Sequence, residues 1–273
     1  MTRKGKWATI RRVWIRTGLI GTAIFITWSL VAYRAQGVAR AALESDSRVT
    51  VTRADGHWAF TPRRPSTAGL IFFPGALVNP IAYAPLVHAI ADAGYTSLLI
   101  EVPRRAAFGG AEGPEVFERA RTAAARTAIR RWVVAGHSRG GVIASYIVRD
   151  GFPGLAGAVL LGTSHPRDFS LAATSVPMTR VFGTRDTVAD VEKLDRTRAN
   201  LPASARIVRI DGGNHSQFGY YGFQPGDWPA TISRDAQQAI VRAAILDALA
   251  AAASVAEQKI DDSEEVRDDR RRR

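Results

Sequence analysis

A serine set between two glycines is the pattern in this sequence that most directly indicates chemistry. Residues 136–140 are Gly-His-Ser-Arg-Gly, which follow an apolar run and precede a predicted helix over residues 142–149. This order predicts a sharp, strained turn from strand to helix that lifts the hydroxyl of Ser138 above the carboxyl edge of a sheet. The backbone N–H of Arg139 would then point toward the oxyanion formed when that hydroxyl attacks a carbonyl group. The alternative is an ordinary turn in which the serine only caps the helix.

A serine hydroxyl needs a neighbouring base, because it is a weak nucleophile at neutral pH. Of the five histidines, His215 is the favoured base, since it follows the last predicted strand in a glycine-rich loop. His165 also follows a predicted strand and is the competing candidate. His137 adjoins the serine and is expected to pack beneath the turn. The other two histidines fall in a predicted hairpin and a predicted helix, away from this edge.

The base in turn needs a carboxylate that orients it. Asp186 follows a predicted strand and lies between the serine and the histidine in chain order, which is the order expected for this kind of turn. Asp190 and Asp211 are the alternatives, the first as a solvated helix residue and the second as a brace of the histidine loop. A further alternative for Asp186 is a cap of the helix predicted from residue 188.

A second donor for the oxyanion is expected in the turn after the apolar run at residues 69–73. Pro74 has no N–H, and Gly75 lets the backbone approach a ligand closely, so the N–H of Ala76 is the predicted donor. An ordinary strand-to-helix turn is the alternative at this position.

Strands and helices alternate along the chain, which predicts an α/β fold with a mostly parallel sheet covered by helices on both faces. After a hairpin over residues 48–61, the predicted strands span residues 69–73, 97–100, 132–136, 158–163, 177–182 and 206–210. The predicted helices span residues 85–92, 114–130, 142–149 and 188–200, and a last helix begins near Ser233. Residues 108–113 form a glycine-containing loop, and residues 164–176 are too few for a large cap domain. Ser138, Asp186 and His215 all follow strand ends, so they are expected to gather at one edge of the sheet.

The N-terminal segment combines a basic stretch with an apolar one. Residues 1–16 contain six Lys or Arg side chains, and residues 17–33 carry no charge. This pattern favours a single-pass membrane anchor with its N-terminus in the cytoplasm and the remainder of the chain outside. A cleaved signal peptide and a buried or surface amphipathic helix are the alternatives.

Charge and composition narrow the classes of partner. The net charge of +12 comes largely from the N-terminal segment and from four terminal arginines, so it favours a membrane surface over nucleic acid. The absence of cysteine excludes disulfides, thiolate zinc sites and a cysteine nucleophile. No His-x-x-x-His pair, dense carboxylate cluster in the core or phosphate loop is present, so neither a metal nor a cofactor is expected.

Over about residues 68–250 the sequence resembles the α/β-hydrolase superfamily. The resemblance rests on residues 136–140 together with Gly-Thr-Arg-Asp at 183–186 and Gly-Gly-Asn-His at 212–215. Phe-Phe-Pro-Gly-Ala at 72–76 and Ala-Tyr-Ala-Pro-Leu at 82–86 look like the oxyanion region of small, capless members related to dienelactone hydrolases. Those enzymes use a cysteine nucleophile where this chain has Ser138, a departure that favours serine esterase chemistry.

These observations predict four regions and a function. The regions are a basic N-terminus with a membrane anchor (1–36), a linker (37–47), an α/β-hydrolase domain (48–258) and a charged disordered tail (259–273). The predicted function is hydrolysis of small-molecule carboxylic esters through a Ser-His-Asp triad. An acyltransferase with the same triad and a catalytically silent, membrane-tethered binding module are the alternatives.

Overall fold

One eight-stranded sheet forms the centre of the molecule. The structure is a computed structural model that describes residues 3–107 and 113–272, so residues 108–112 of the loop predicted at 108–113 lie outside the described residues. The strand order is β1-β2-β4-β3-β5-β6-β7-β8. The strands are β1 (Val49–Ala54), β2 (His57–Pro62), β3 (Ala68–Phe73), β4 (Thr96–Ile100), β5 (Arg131–His137), β6 (Leu155–Leu161), β7 (Met178–Gly183) and β8 (Arg206–Ile210). The first two form an antiparallel hairpin, and β3 to β8 are parallel to one another, as predicted.

Helices cover both faces of this sheet. The six α-helices are α1 (Arg3–Ala32), α2 (Ala84–Asp92), α3 (Pro114–Ala125), α4 (Arg139–Asp150), α5 (Val191–Arg196) and α6 (Arg234–Arg272), of which α2, α3, α4 and α6 pack against the strands. All six residues of β3 are buried, and they alternate between the two hydrophobic clusters on opposite faces. Leu70 and Phe72 belong to one cluster, whereas Ile71 and Phe73 belong to the other, because successive side chains of a strand point to opposite faces.

Two helices are shorter than the sequence predicts. The helix predicted over residues 114–130 ends at Ala125, and Thr127 donates a side-chain hydrogen bond to the carbonyl of Ala124 at that end. The helix predicted from residue 188 begins only at Val191, because Asp190 caps it by accepting from the N–H of Lys193. Residues 188–189 are instead held by Asp186, as described below.

The terminal helix is longer than predicted. Val241, Ile245 and Leu249 are fully buried on one face of α6, which confirms the predicted core face. The helix continues through Arg272, so the charged segment predicted to be disordered from residue 259 is helical up to that residue. Ala, Glu and Arg, which are frequent in this region, are good helix formers.

The N-terminal apolar segment is helical and projects away from the sheet. Within α1, Ile10–Ala32 is 23 residues long and apolar enough to cross a membrane, and only 6% of its most apolar window is buried. Arg234–Ser254 of α6 passes the same test of length and composition, but its apolar face packs against the sheet. Residues 37–47, predicted as a linker, include a short 3-10 helix at Arg40–Leu43.

Candidate active site

The turn from β5 to α4 holds Ser138 in a strained backbone conformation. Its φ and ψ are 53° and −115°, in a region that non-glycine residues rarely adopt. A Cβ atom at Gly140 would overlap the carbonyl of Phe73, and one at Gly136 would overlap the backbone of Gly140. The turn therefore packs directly on the end of β3, and both flanking glycines are required by close backbone approach.

Asp186 and His215 lie in direct contact at the same edge of the sheet. His215 Nδ1 donates to Asp186 Oδ2 at 2.8 Å, and both side chains are buried. The other carboxylate oxygen accepts from the backbone N–H groups of Val188 and Ala189, at 2.9 and 2.7 Å. Because a carboxylate only accepts hydrogen bonds, this arrangement places the proton on Nδ1 and leaves Nε2 as the basic nitrogen.

The other candidate acids are engaged elsewhere. Asp190 caps α5 and lies 2.8 Å from Lys193 Nζ. Asp211 pairs with Arg209 at 2.7 Å on the exposed surface. Of the three candidate carboxylates, Asp186 is therefore the one that the fold brings to His215.

The turn from β5 to α4, here called the elbow, packs against the loop that carries His215. The ring centroid of His137, which directly precedes Ser138, lies 4.4 Å from that of His215. Among the described residues, the buried Nε2 of His215 has no hydrogen-bond partner, so the Ser138 hydroxyl does not yet engage it. Such contacts often tighten only when substrate binds. The competing candidate, His165, accepts a 2.8 Å hydrogen bond from buried Arg180 through its backbone carbonyl.

His137 packs beneath the elbow, as expected, and belongs to a buried hydrogen-bonded chain. The N–H of Gly75 donates to Tyr83 Oη at 3.1 Å, and Tyr83 Oη lies 2.7 Å from His137 Nδ1. Tyr83 Oη therefore links the backbone N–H of Gly75 to the ring of His137. Burial lowers the pKa of His137 well below 6.5, with His215 adding to the effect, and burial raises the pKa of Tyr83. Both groups are therefore neutral at pH 7.

The predicted oxyanion donors, Ala76 and Arg139, lie close in sequence to Gly75 and His137, the two ends of this hydrogen-bonded chain. Gly75 donates to Tyr83, and the N–H of Leu77 donates to the carbonyl of Arg105 at 2.7 Å. Between them, the N–H of Ala76 has no acceptor within the described part of the chain. Arg139 is the first residue of α4, so its N–H lies at the positive end of a helix.

Asp227 is a supporting residue that sequence reasoning missed. Its buried carboxylate accepts from the N–H groups of His215, Ser216 and Trp228, and from the Ser216 hydroxyl, at 2.7–3.3 Å. It fixes the backbone of the histidine loop from twelve residues downstream. In the sequence, Asp227 follows Pro225 and Gly226, a pattern that predicts a turn. Nothing in the periodicity of the neighbouring residues predicts that its side chain is buried.

A cavity of about 580 Å³ opens on the same edge of the sheet. Its lining includes Asn79, Ile81, Arg104 and Arg105, next to the turn that holds Ala76. Ser138, Asp186 and His215 do not line it. Within the described residues, no group of three or more His, Cys, Asp or Glu side chains is arranged to hold a metal ion.

Comparison with known proteins agrees with this architecture. The model of the alpha/beta hydrolase family matches residues 69–239. No curated protein matches the chain.

Three solved structures share the fold at low sequence identity. A dienelactone hydrolase-like promiscuous phosphotriesterase from metagenomic libraries aligns with a TM-score of 0.56 and 15% identity, covering 74% of this chain and 99% of its own. TT1662 from Thermus thermophilus gives 0.51 and 19%, covering 74% of this chain and 98% of its own. MGS-MChE2, an alpha/beta hydrolase enzyme from the metagenome of Mar Chica lagoon sediments in Morocco, gives 0.50 and 13%, covering 62% and 90%.

Proposed function

Because the chain belongs to the alpha/beta hydrolase family, we propose that it is a serine hydrolase that cleaves carboxylic esters through Ser138, His215 and Asp186. Family membership supports hydrolysis in general. The observation that carries the finer proposal is the buried His215–Asp186 pair, whose basic Nε2 is unused beside the strained elbow.

The chemistry follows from this arrangement. Ser138 Oγ attacks the ester carbonyl carbon while its proton passes to His215 Nε2, and Asp186 stabilises the resulting imidazolium. The N–H groups of Ala76 and Arg139 stabilise the oxyanion of the tetrahedral intermediate. His215 then gives its proton to the departing alcohol, which leaves an acyl-serine. Water then attacks the acyl carbon while His215 Nε2 takes its proton, and His215 returns that proton to Ser138 Oγ as the bond between the acyl group and Oγ breaks and the acid leaves.

The neutral state of His137 supports this cycle. A charged imidazolium 4.4 Å from His215 would oppose the protonation that the mechanism requires. Burial lowers the pKa of His137, so it stays neutral while His215 takes up the serine proton.

We also propose that α1 is retained as a single-pass anchor, with the catalytic domain outside the cytoplasm. Six Lys or Arg side chains precede or enter the apolar segment at its N-terminal end, which favours that end in the cytoplasm. The length and exposure of Ile10–Ala32 support a membrane-spanning helix.

Turnover of short p-nitrophenyl esters tests the hydrolase. Wild type and Ser145→Ala should release p-nitrophenol at similar rates, because the buried Ser145 hydroxyl only bonds the Val142 carbonyl within α4. Ser138→Ala should fall to the uncatalysed background. Equal turnover by Ser138→Ala and wild type would contradict the proposal. Product analysis with an added alcohol separates the acyltransferase, which would form a new ester in preference to the free acid.

A further inference from the structure

The chain that leaves α1 is built into the same edge of the sheet as the candidate site. The carbonyl of Ala32, the last residue of α1, accepts from the N–H of Gly222 at 2.7 Å. The next carbonyl, of Tyr33, accepts from the N–H of Asn79 at 2.9 Å. The end of the membrane helix is therefore hydrogen-bonded to two different loops of the domain.

We call the contacts between residues 32–36 and the two loops the seam, and they continue beyond the end of the helix. The N–H of Gln36 donates to the carbonyl of Tyr220 at 2.8 Å, and Ala35 forms an antiparallel bridge with Tyr221. A Cβ at Gly222 would lie 3.0 Å from the Ala32 carbonyl oxygen, which shows how closely the backbones approach. Ala32 is buried. This segment is part of the fold, and cleavage after residue 33 would separate Ala32 and Tyr33 from their partners Gly222 and Asn79.

Both loops of this seam also carry the candidate site. Asn79 lies three residues after Ala76, the proposed oxyanion donor. Tyr221 donates its hydroxyl proton to the carbonyl of His215 at 3.2 Å. The two loops that bind the end of α1 are therefore the same loops that hold Ala76 and His215 in place.

Exposed apolar side chains lie beside each contact point. Leu77 is 40% exposed and Phe223 is 42% exposed, although both belong to the well-packed loops of the seam. The backbone bond from Leu77 to Arg105 places exposed Arg104 and Arg105 next to Leu77. An exposed leucine with two exposed arginines beside it suits an interface with lipid headgroups.

We infer that this edge of the sheet faces the bilayer, with Leu77 and Phe223 entering the headgroup region, and that the ester is a long-chain amphipathic lipid taken directly from the membrane. The inference rests on the proposed function for the chemistry and on the seam for the orientation. If Ala32 lies at the membrane surface, the loops that contain Gly222 and Asn79 also lie at that surface, because both are hydrogen-bonded to the end of α1. A substrate that resides in the bilayer then reaches Ser138 without first entering water.

The absence of cysteine allows the orientation to be measured without activity. Full-length Leu77→Cys and Phe223→Cys chains are labelled with an environment-sensitive fluorophore and reconstituted in phosphatidylcholine–phosphatidylglycerol vesicles that carry nitroxide lipids. Ile207→Cys is the matched control, because Ile207 is also 40% exposed but lies near the start of β8, at the opposite edge of the sheet. Strong quenching at positions 77 and 223 with little at 207 is expected. Equal quenching at all three positions would overturn the orientation.

Two ester substrates then test the source of the substrate. Phe223→Ser should slow hydrolysis of 4-methylumbelliferyl oleate held in the vesicles by about tenfold, since a lipid-buried aromatic ring is lost. It should leave hydrolysis of soluble 4-methylumbelliferyl acetate unchanged, as should Ile207→Ser for both esters. If Phe223→Ser slows neither ester, the bilayer source is wrong while the hydrolase stands. If wild type cleaves neither ester, the hydrolase and its lipid substrate both fall, and the quenching result still decides the orientation.

Discussion

His215 and Asp186 meet through one 2.8 Å hydrogen bond, buried at the carboxyl edge of the sheet between residues 29 positions apart in sequence. Asp186 reaches this position because two backbone N–H groups at the start of the next segment hold its other oxygen. The carboxylate therefore fixes both the orientation and the tautomer of the imidazole.

Replacing that carboxylate by an amide should remove most of the activity. In Asp186→Asn the amide NH₂ can donate to Nδ1, which favours the wrong tautomer and moves the proton to Nε2, so kcat on a short p-nitrophenyl ester should fall by about 10⁴-fold. Asp211→Asn is the matched control, since Asp211 pairs only with Arg209 in the described structure. Comparable losses of kcat in the two variants would show that Asp186 is not the residue that orients His215.

Removing Asp227 should affect stability and catalysis together. Asp227→Ala leaves the buried N–H groups of His215 and Ser216 and the buried Ser216 hydroxyl without their acceptor, which should cost about 2–4 kcal/mol of unfolding free energy. The loosened loop should also lower kcat for short p-nitrophenyl esters, while Ser138 should still react with a fluorophosphonate, at a reduced rate. Thermal unfolding and steady-state kinetics measure the two effects. Wild-type stability in the variant would show that water replaces the carboxylate at little cost.

The elbow should not tolerate a single added methyl group. Gly140→Ala places a Cβ on the carbonyl of Phe73, so the turn cannot form without moving β3, and we expect loss of soluble or active protein. Gly157→Ala is the control, because its added Cβ meets only ordinary contacts, 3.5 Å from Val133. The comparison uses yield after detergent extraction and the thermal midpoint. Normal folding of Gly140→Ala would contradict the geometry of the elbow.

The buried His137 should make the fold less stable in mild acid. Burial lowers its pKa in the folded state below the unfolded value of 6.5, so below pH 6.5 the unfolded chain binds a proton that the folded chain does not. The stabilisation is complete above pH 6.5 and is lost as the pH falls toward the folded-state pKa, by up to about 1.4 kcal/mol per pH unit.

Thermal unfolding of the full chain in detergent from pH 7.5 to 5 measures this dependence. His137→Gln should show a flatter decline than wild type over this range, whereas Ser145→Ala, which changes no titratable group, should keep the wild-type slope. Parallel curves for His137→Gln and wild type would mean that His137 does not contribute.

The sequence predicted the parts of the fold that depend on local pattern. The apolar runs of β3 and β6, the glycines around Ser138 and the polar residues that follow β7 and β8 are each visible within a few residues of chain. Because the carboxyl ends of parallel strands share one edge, these local signals also placed Asp186 and His215 close together.

The supporting contacts could not be predicted because they join distant segments. Tyr83 contacts His137 across 54 residues of chain, and nothing in the sequence near residue 83 indicates which histidine its phenol meets. Asp227 is buried by a loop without periodic apolar residues. The seam between Ala32 and Gly222 likewise depends on how the finished fold receives the end of α1.

Covalent labelling with a fluorophosphonate tests most directly whether Ser138 is a nucleophile activated by His215. The full-length chain in detergent is labelled beside Ser138→Ala, His215→Ala and the control His165→Ala. We predict rapid labelling of wild type and His165→Ala, none of Ser138→Ala, and a rate reduced by several orders of magnitude in His215→Ala. Full-rate labelling of His215→Ala, or no labelling of the folded wild type, would contradict the account.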